Sequence, residues 1–306
     1  MNVFVLLNAS AGTWDQTAID ELGARILAGF SARGVQATLD IVQPARLHDA
    51  AANAAKGNWD TLVAGGGDGT VNTVANVLVG SEKALGILPL GTLNHFAKDL
   101  RIPLTLDEAI ANVCETPPRP VDLGGVNGRL FINNSSIGFY PLAVQDRDRQ
   151  RKKFGRGKWA AMFLALMRVF RWFPLVDVTV ATKTQQLKRR TPLVFVGNNE
   201  YQLDLLTLGA RTCLTAGTLT LYTANCTTRW GMVRLLVRAM FGTLRQAQDF
   251  DSLCSPTITV QSRRRRLSVA LDGETQRMSP PLEFKSLPGA LLVHAPPEPQ
   301  PPANSP

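Results

Sequence analysis

Short apolar runs alternating with helical periodicity in the first third of the chain, then a succession of strand-like runs, predict a three-layer α/β domain followed by a β-sandwich. The pattern changes at Pro117-Pro118-Arg119-Pro120. A length of 306 residues, too many for one small core, favours the same division. The expected boundaries are a first domain at 1–120, a second at 121–295 and a tail at 296–306.

Val3–Leu7 is a continuous apolar run that ends in the turn-like Asn8-Ala9-Ser10-Ala11-Gly12. Residues 16–33 read as a helix, with Ile19, Leu22, Ile26 and Phe30 on one face. Gln36–Val42 is a second strand and Leu47–Lys56 a second helix. Thr61–Ala64 is a third strand, followed by a glycine cluster and a helix from about Val71 to Leu78. Ala84–Leu88 is another strand. Short buried strands separated by helices imply a parallel sheet covered on both faces. Beyond Pro120, strand-like runs occur at 119–123, 129–134, 176–181, 192–197, 218–223, 256–260, 266–271 and 290–294. Helical inserts are expected near 159–172 and 230–244. Many short strands with little helix suit an antiparallel sandwich. The tail holds six prolines in eleven residues and is expected to be disordered.

Composition narrows the function classes. Hydrophobic residues at 45% and charged residues at 19% are a globular balance. The formal net charge of +9 points to an anionic partner: nucleotide, nucleic acid or anionic membrane. Four cysteines without a C-x-x-C pair, and three histidines, argue against a zinc cluster and for reduced thiols in a cytoplasmic protein. The N-terminal run lacks the basic segment of a signal peptide. The longest greasy stretch, 159–173, is broken by Arg168 and Arg171 and is too short to span a bilayer.

The sharpest chemical signal is Gly65-Gly66-Gly67-Asp68-Gly69-Thr70, set between a strand and a helix. Glycines allow close backbone approach, and a helix start offers free N–H donors and a positive dipole end, which together suit a phosphate. A capped tight turn would need fewer glycines. Asp68 would repel a phosphate unless a cation lies between them, and Mg²⁺ resolves that conflict. The P-loop, the G-x-G-x-x-G pattern and the protein-kinase signatures are all absent. A second motif, Gly91-Thr92-Leu93-Asn94-His95-Phe96, also follows a strand. Gly91, Thr92 and Asn94 therefore fall on the same sheet edge as the first motif, where open α/β sheets bind ligands. Thr92 or Asn94 can equally cap a helix.

These two motifs at this spacing resemble the diacylglycerol kinase catalytic domain. The likeness is strongest to soluble bacterial lipid kinases of the diacylglycerol/sphingosine type, over residues 1 to about 295. The resemblance implies a Rossmann-like α/β domain, a β-sandwich, and an active site between them that uses ATP and Mg²⁺. It implies that Asn8, Ser10 and Gly12 belong to the first nucleotide loop. Gly66, Gly67, Asp68, Gly69, Thr70 and Asn72 would hold the phosphates, and Thr92 would complete the pocket. A third motif, Asp272-Gly273-Glu274, would supply Glu274 as general base, with Asp272 binding Mg²⁺ or orienting Glu274. By itself Asp-Gly is a hairpin turn. The sequence departs from the family pattern at Ala9, Thr73, His95 and Ala216. Alanine cannot ligate a metal, so the family's structural Mg²⁺ is not expected at Ala216.

The implied function is transfer of the γ-phosphate of ATP to a hydroxyl of diacylglycerol, a sphingoid base or a related lipid. The alternatives are an NAD kinase-like phosphotransferase and a nucleotide- or lipid-binding regulator. Nucleic acid is not expected, since the basic run Arg263–Arg266 has no interleaved aromatics. The basic stretch 147–158 running into the Trp- and Phe-rich 159–173 suits the inner face of an anionic membrane, and equally a core-packing helix with a solvated basic flank. In the second helix, Arg234 and Arg238 read as a solvated flank. Oligomeric state stays open, a homodimer included.

Overall fold

The computed structural model describes residues 1–10, 16–138, 175–182, 185–200, 214–240 and 249–298. They fall into two compact units: Met1–Asp122 with the chain from Pro288 onward, and Leu123–Leu287 apart from a short segment, 213–215, that joins the first.

In the first unit the chain runs β1 (Asn2–Asn8), α1 (Gln16–Ser31), β2 (Gln36–Val42), α2 (Leu47–Ala55), β3 (Thr61–Gly66), α3 (Asp68–Leu78), β4 (Ala84–Pro89), α4 (His95–Asp99) and α5 (Leu106–Glu115). The strands pair in parallel in the order β2-β1-β3-β4. Helix α1 buries Ile19, Leu22, Ile26 and Phe30, the expected stripe. Their partners are Val3, Val5 and Leu7 of β1, Val63, Leu88, and Ala109, Ile110 and Val113 of α5. Helices α2 and α3 pack on each other and on the sheet. Burial on both faces explains why β3 and β4 are fully buried along their lengths.

Parallel register positions the motifs. Leu7 lies opposite Gly65, and Gly66 opposite Pro89. The chain therefore leaves β1, β3 and β4 at one level of one sheet edge, and there Asn8, Gly67–Thr70 and Gly91–Asn94 begin.

The second unit is all-antiparallel apart from one helix among its described residues. Its elements are β6 (Arg129–Phe131), β7 (Asn134–Gly138), β8 (Val176–Ala181), β9 (Gln186–Thr191), β10 (Leu193–Asn198), β11 (Leu219–Ala224), α6 (Arg229–Met240), β12 (Phe250–Ser255), β13 (Thr257–Ser262), β14 (Leu267–Leu271) and β15 (Glu274–Met278). β5 (Pro118–Val126) enters it and β16 (Leu282–His294) leaves it. One sheet follows β16-β13-β8-β9 and the other β12-β11-β10-β7-β14-β15. Val178, Val180, Val260 and Phe284 from the first sheet meet Val194, Val196, Leu221 and Val269 from the second in one apolar core. That is the expected sandwich.

Several expectations need correction. The assignment of 121–295 to the second domain fails at its end. Leu292 and Val293 of β16 pair in parallel with Ala84 and Leu85, so the chain returns to the first unit's sheet. The run expected as one strand, 129–134, is two, broken at Ile132-Asn133. Helices α4 and α5 and strands β9, β12 and β15 were not expected, although α5 follows Thr105 with Glu108 three residues on and buries Ala109, Ile110 and Val113 on one face. The tail is ordered at its start: Arg119 donates through Nε to the Pro296 carbonyl at 2.9 Å. The expected first nucleotide loop beyond Ser10, and the basic and aromatic stretch 147–173, lie outside the described residues.

Candidate functional site

Direct contacts join the three strand-end loops of the first unit. The Asn8 amide donates to Thr70 Oγ1 at 2.9 Å, while its own Oδ1 accepts the Ser10 N–H. Leu90 N–H donates to the Gly66 carbonyl at 3.0 Å. Gly91 approaches Gly67 so closely that a Cβ on Gly91 would lie 2.4 Å from the Gly67 Cα, which restricts the position to glycine. Asp68 Oδ1 accepts the Phe96 N–H at 3.3 Å and so serves the N-terminus of α4. Asn8, Gly66, Gly67, Asp68, Thr70 and Gly91, singled out separately in the sequence, thus form one cluster.

Within it, residues divide by what occupies their polar atoms. Asn94 is buried in left-handed backbone, φ 50°, and its side chain is spent on its own loop. Its Oδ1 accepts the Gly91 N–H, and its Nδ2 donates to the carbonyls of Pro89 and Gly91. Asn94 is thus a brace for the loop, and neither of its donors points to a ligand. Asn72 Oδ1 accepts from Asn76 one turn on. Thr73 donates through Oγ1 to the Gly69 carbonyl at 2.9 Å. Ser10 and Thr92 are exposed.

Gly69 behaves differently from its neighbours. It is exposed in the first turn of α3, has no positive φ, and a Cβ there would meet nothing within 4 Å. Glycine in a helix costs about 0.5–1 kcal/mol relative to alanine. Among the described residues nothing in the packing requires it, which points to the approach of something from outside as the physical reason for a bare backbone. Asp68 beside it is half-buried, and its Oδ2 has no recorded partner among the described residues.

The Asp272-Gly273-Glu274 motif is a two-residue hairpin turn. Asp272 and Gly273 have φ 45° and 89°, and Leu271 pairs with Glu274. Asp272 also braces a second turn. Its Oδ2 accepts the Ile132 N–H at 2.7 Å, and its Oδ1 accepts those of Asn133 and Asn134 at 2.8 and 3.0 Å. A carboxylate holding three N–H donors is a poor candidate for a metal ligand, so the Mg²⁺ role expected of Asp272 is not the one its surroundings favour. Glu274 is exposed.

Sequence reasoning missed the polar corner around this hairpin. Asn198 Nδ2 donates to the Ile132 carbonyl, Asn198 N–H to the Asn133 carbonyl, and Asn199 Oδ1 accepts the Thr218 N–H. The signal was two Asn-Asn doublets at strand ends. Glu298 was missed as well. Its carboxylate accepts the Leu214 N–H at 3.0 Å and the Thr215 hydroxyl at 3.1 Å, with Arg119 Nη1 at 3.4 Å. The loop preceding Ala216 is therefore held by a protein carboxylate.

The fold matches solved structures. A diacylglycerol kinase from Bacillus anthracis str. Sterne superposes with a TM-score of 0.70 over 97% of both chains, at 19% identity. In sequence, the profile of the diacylglycerol kinase catalytic domain matches residues 2–126. A "Probable lipid kinase YegS-like" from Pseudomonas aeruginosa (strain UCBPP-PA14) is 47% identical over 30% of this chain and 31% of its own length. Its namesake from Pseudomonas savastanoi pv. phaseolicola (strain 1448A / Race 6) is 30% identical over 77% of this chain and 75% of its own. The alignments with the two Pseudomonas aeruginosa relatives cover about a third of those proteins, 31% and 32%. The chain belongs to the YegS-like family built on the diacylglycerol kinase catalytic domain.

Proposed function

We propose that the protein is a lipid kinase that transfers the γ-phosphate of ATP to a hydroxyl of diacylglycerol, a sphingoid base or a related lipid. The observation that carries this reading is the clustering of Asn8, Gly66–Thr70 and Gly91 at one sheet edge, with Gly69 bare and unobstructed beside Asp68. The names of the family's relatives support a lipid acceptor.

In this reading Gly67, Gly69 and the first N–H groups of α3 receive the phosphates, and Thr92 offers a hydroxyl beside them. Mg²⁺ fits the residues present, because it is ordinarily held by one or two carboxylates together with substrate phosphates and water, and Asp68 is such a carboxylate. Its chemistry when bound would be neutralisation of charge on the transferred phosphoryl group. Phosphoryl transfer leaves the attacking hydroxyl with a proton to lose, and Glu274 is the group proposed to accept it. The enzyme would work on the inner face of the membrane, where the acceptor lipid lies.

The test is a panel of dispersed lipids incubated with labelled ATP and Mg²⁺, with products identified by mass spectrometry. Wild-type protein should yield a phosphorylated lipid. D68A and E274A should yield none while keeping their circular dichroism. Wild-type rates from both variants would refute the roles assigned to these residues.

A further inference from the structure

The second unit carries a dense cationic surface. Strand β9, at the end of its sheet, reads Gln186-Leu187-Lys188-Arg189-Arg190-Thr191, and the turn from β13 to β14 reads Arg263-Arg264-Arg265-Arg266. Register brings the two together. Lys188 pairs with Thr179 and Arg190 with Asp177 on β8, while Thr179 pairs in turn with Gln261 on β13. These residues share the face of the sheet that points away from the core, and with Arg263 they line an open groove of about 560 Å³. Arg264 reaches the Leu175 carbonyl at 2.8 Å, which lays its guanidinium over the start of β8.

Six cations thus meet one acid on this face, since Arg189, in register with core-facing Val178, points the other way. Arg189 pairs with Asp251 at 2.8 Å and Arg190 with Asp177 at 3.7 Å. Lys188, Arg263, Arg265 and Arg266 are exposed and have no recorded acidic partner among the described residues. Lysines on an edge strand can serve only to discourage pairing with another chain. One or two charges achieve that, and none is needed in the β13–β14 turn.

We infer that this face, formed by β8, β9 and the β13–β14 turn, docks the protein on an anionic phospholipid bilayer. The inference rests on the lipid-kinase reading for the presence of a membrane substrate. It draws on residues other than those of the basic stretch 147–158. Charge complementarity favours the bilayer: a broad cationic face without an interleaved aromatic suits dispersed headgroup charge better than stacked bases.

The test is sedimentation of the full chain, without ATP, with vesicles of phosphatidylcholine alone or containing phosphatidylglycerol. Each cation contributes about fivefold in affinity near such a surface. K188Q/R263Q/R265Q should therefore bind phosphatidylglycerol vesicles roughly a hundredfold more weakly, with unchanged thermal melting. R25Q/R46Q/K56Q removes the same charge from the first unit and should bind as wild type. Equal weakening in both variants, binding to pure phosphatidylcholine as strong as to the mixture, or a preference for duplex DNA or RNA over vesicles would overturn the inference. If the β9 variant aggregates, wild-type binding must still fall steeply with added salt; salt-independent binding overturns it too. Because the readout needs no turnover, a failed lipid-kinase assay leaves the result legible.

Discussion

Asp68 and Gly69 sit side by side yet answer to different demands. Asp68 has a structural duty, the Phe96 N–H, and an oxygen with no recorded partner among the described residues. Replacing it with alanine should cost about 1 kcal/mol through the lost cap. D68N keeps an acceptor, so it should melt close to wild type while losing lipid phosphorylation; an active D68N would remove the metal role. Gly69 makes the opposite prediction. G69A should hold or raise stability, by up to about 0.5–1 kcal/mol, since a Cβ there meets no atom of the described residues. The same methyl group should weaken nucleotide binding, measured by calorimetry. A G69A protein that is less stable and binds ATP normally would show that the glycine serves the fold.

Among the elements, the β14–β15 hairpin gives different roles to two carboxylates with one residue between them. Asp272 ties its turn to the β6–β7 turn through three N–H donors, and Glu274 stands exposed at the start of β15. D272A should lower stability by about 2–3 kcal/mol, because three donors lose a charged acceptor. E274Q should leave chemical denaturation unchanged and cut turnover about 10²- to 10⁴-fold. Equal loss of stability in both variants would show that Glu274 also supports the hairpin. The Asp-Gly turn was legible from sequence, as its left-handed φ values require such residues. The bracing role of Asp272 was not, because its partners, Ile132 to Asn134, lie far away along the chain.

For the molecule as a whole, closure of the first unit depends on the end of the chain. His294 of β16 is buried, with Nδ1 on the Thr116 carbonyl at 2.7 Å and Nε2 on the Thr61 hydroxyl at 2.9 Å. Since a carbonyl only accepts, Nδ1 carries the proton and Nε2 accepts. The His294 carbonyl also receives the Asn112 amide at 2.8 Å. Burial holds the imidazole below its ordinary value of 6.5, against the opposing pull of the Thr116 bond. The unfolded chain therefore binds a proton more readily than the folded one. Its contribution to stability is intact above about pH 6.5 and is lost as the pH falls toward the lowered folded-state value. Urea midpoints should drop between pH 7.5 and pH 5.5, and H294Q should flatten that part of the dependence. A dependence unchanged in H294Q would assign it to other groups.

Local pattern alone determined the α/β alternation, the apolar stripe of α1, most of the sandwich strands and the glycine motifs, because periodicity and backbone freedom are written in neighbouring residues. Tertiary structure alone decided three things: that Asn94 and Asp272 spend their side chains on backbone, that β16 returns to pair with β4, and that basic β9 lies beside the Arg263–Arg266 turn. Each depends on contacts between segments far apart in sequence. Such contacts are set by strand register and by the need of buried polar groups for partners, which no local window of residues records.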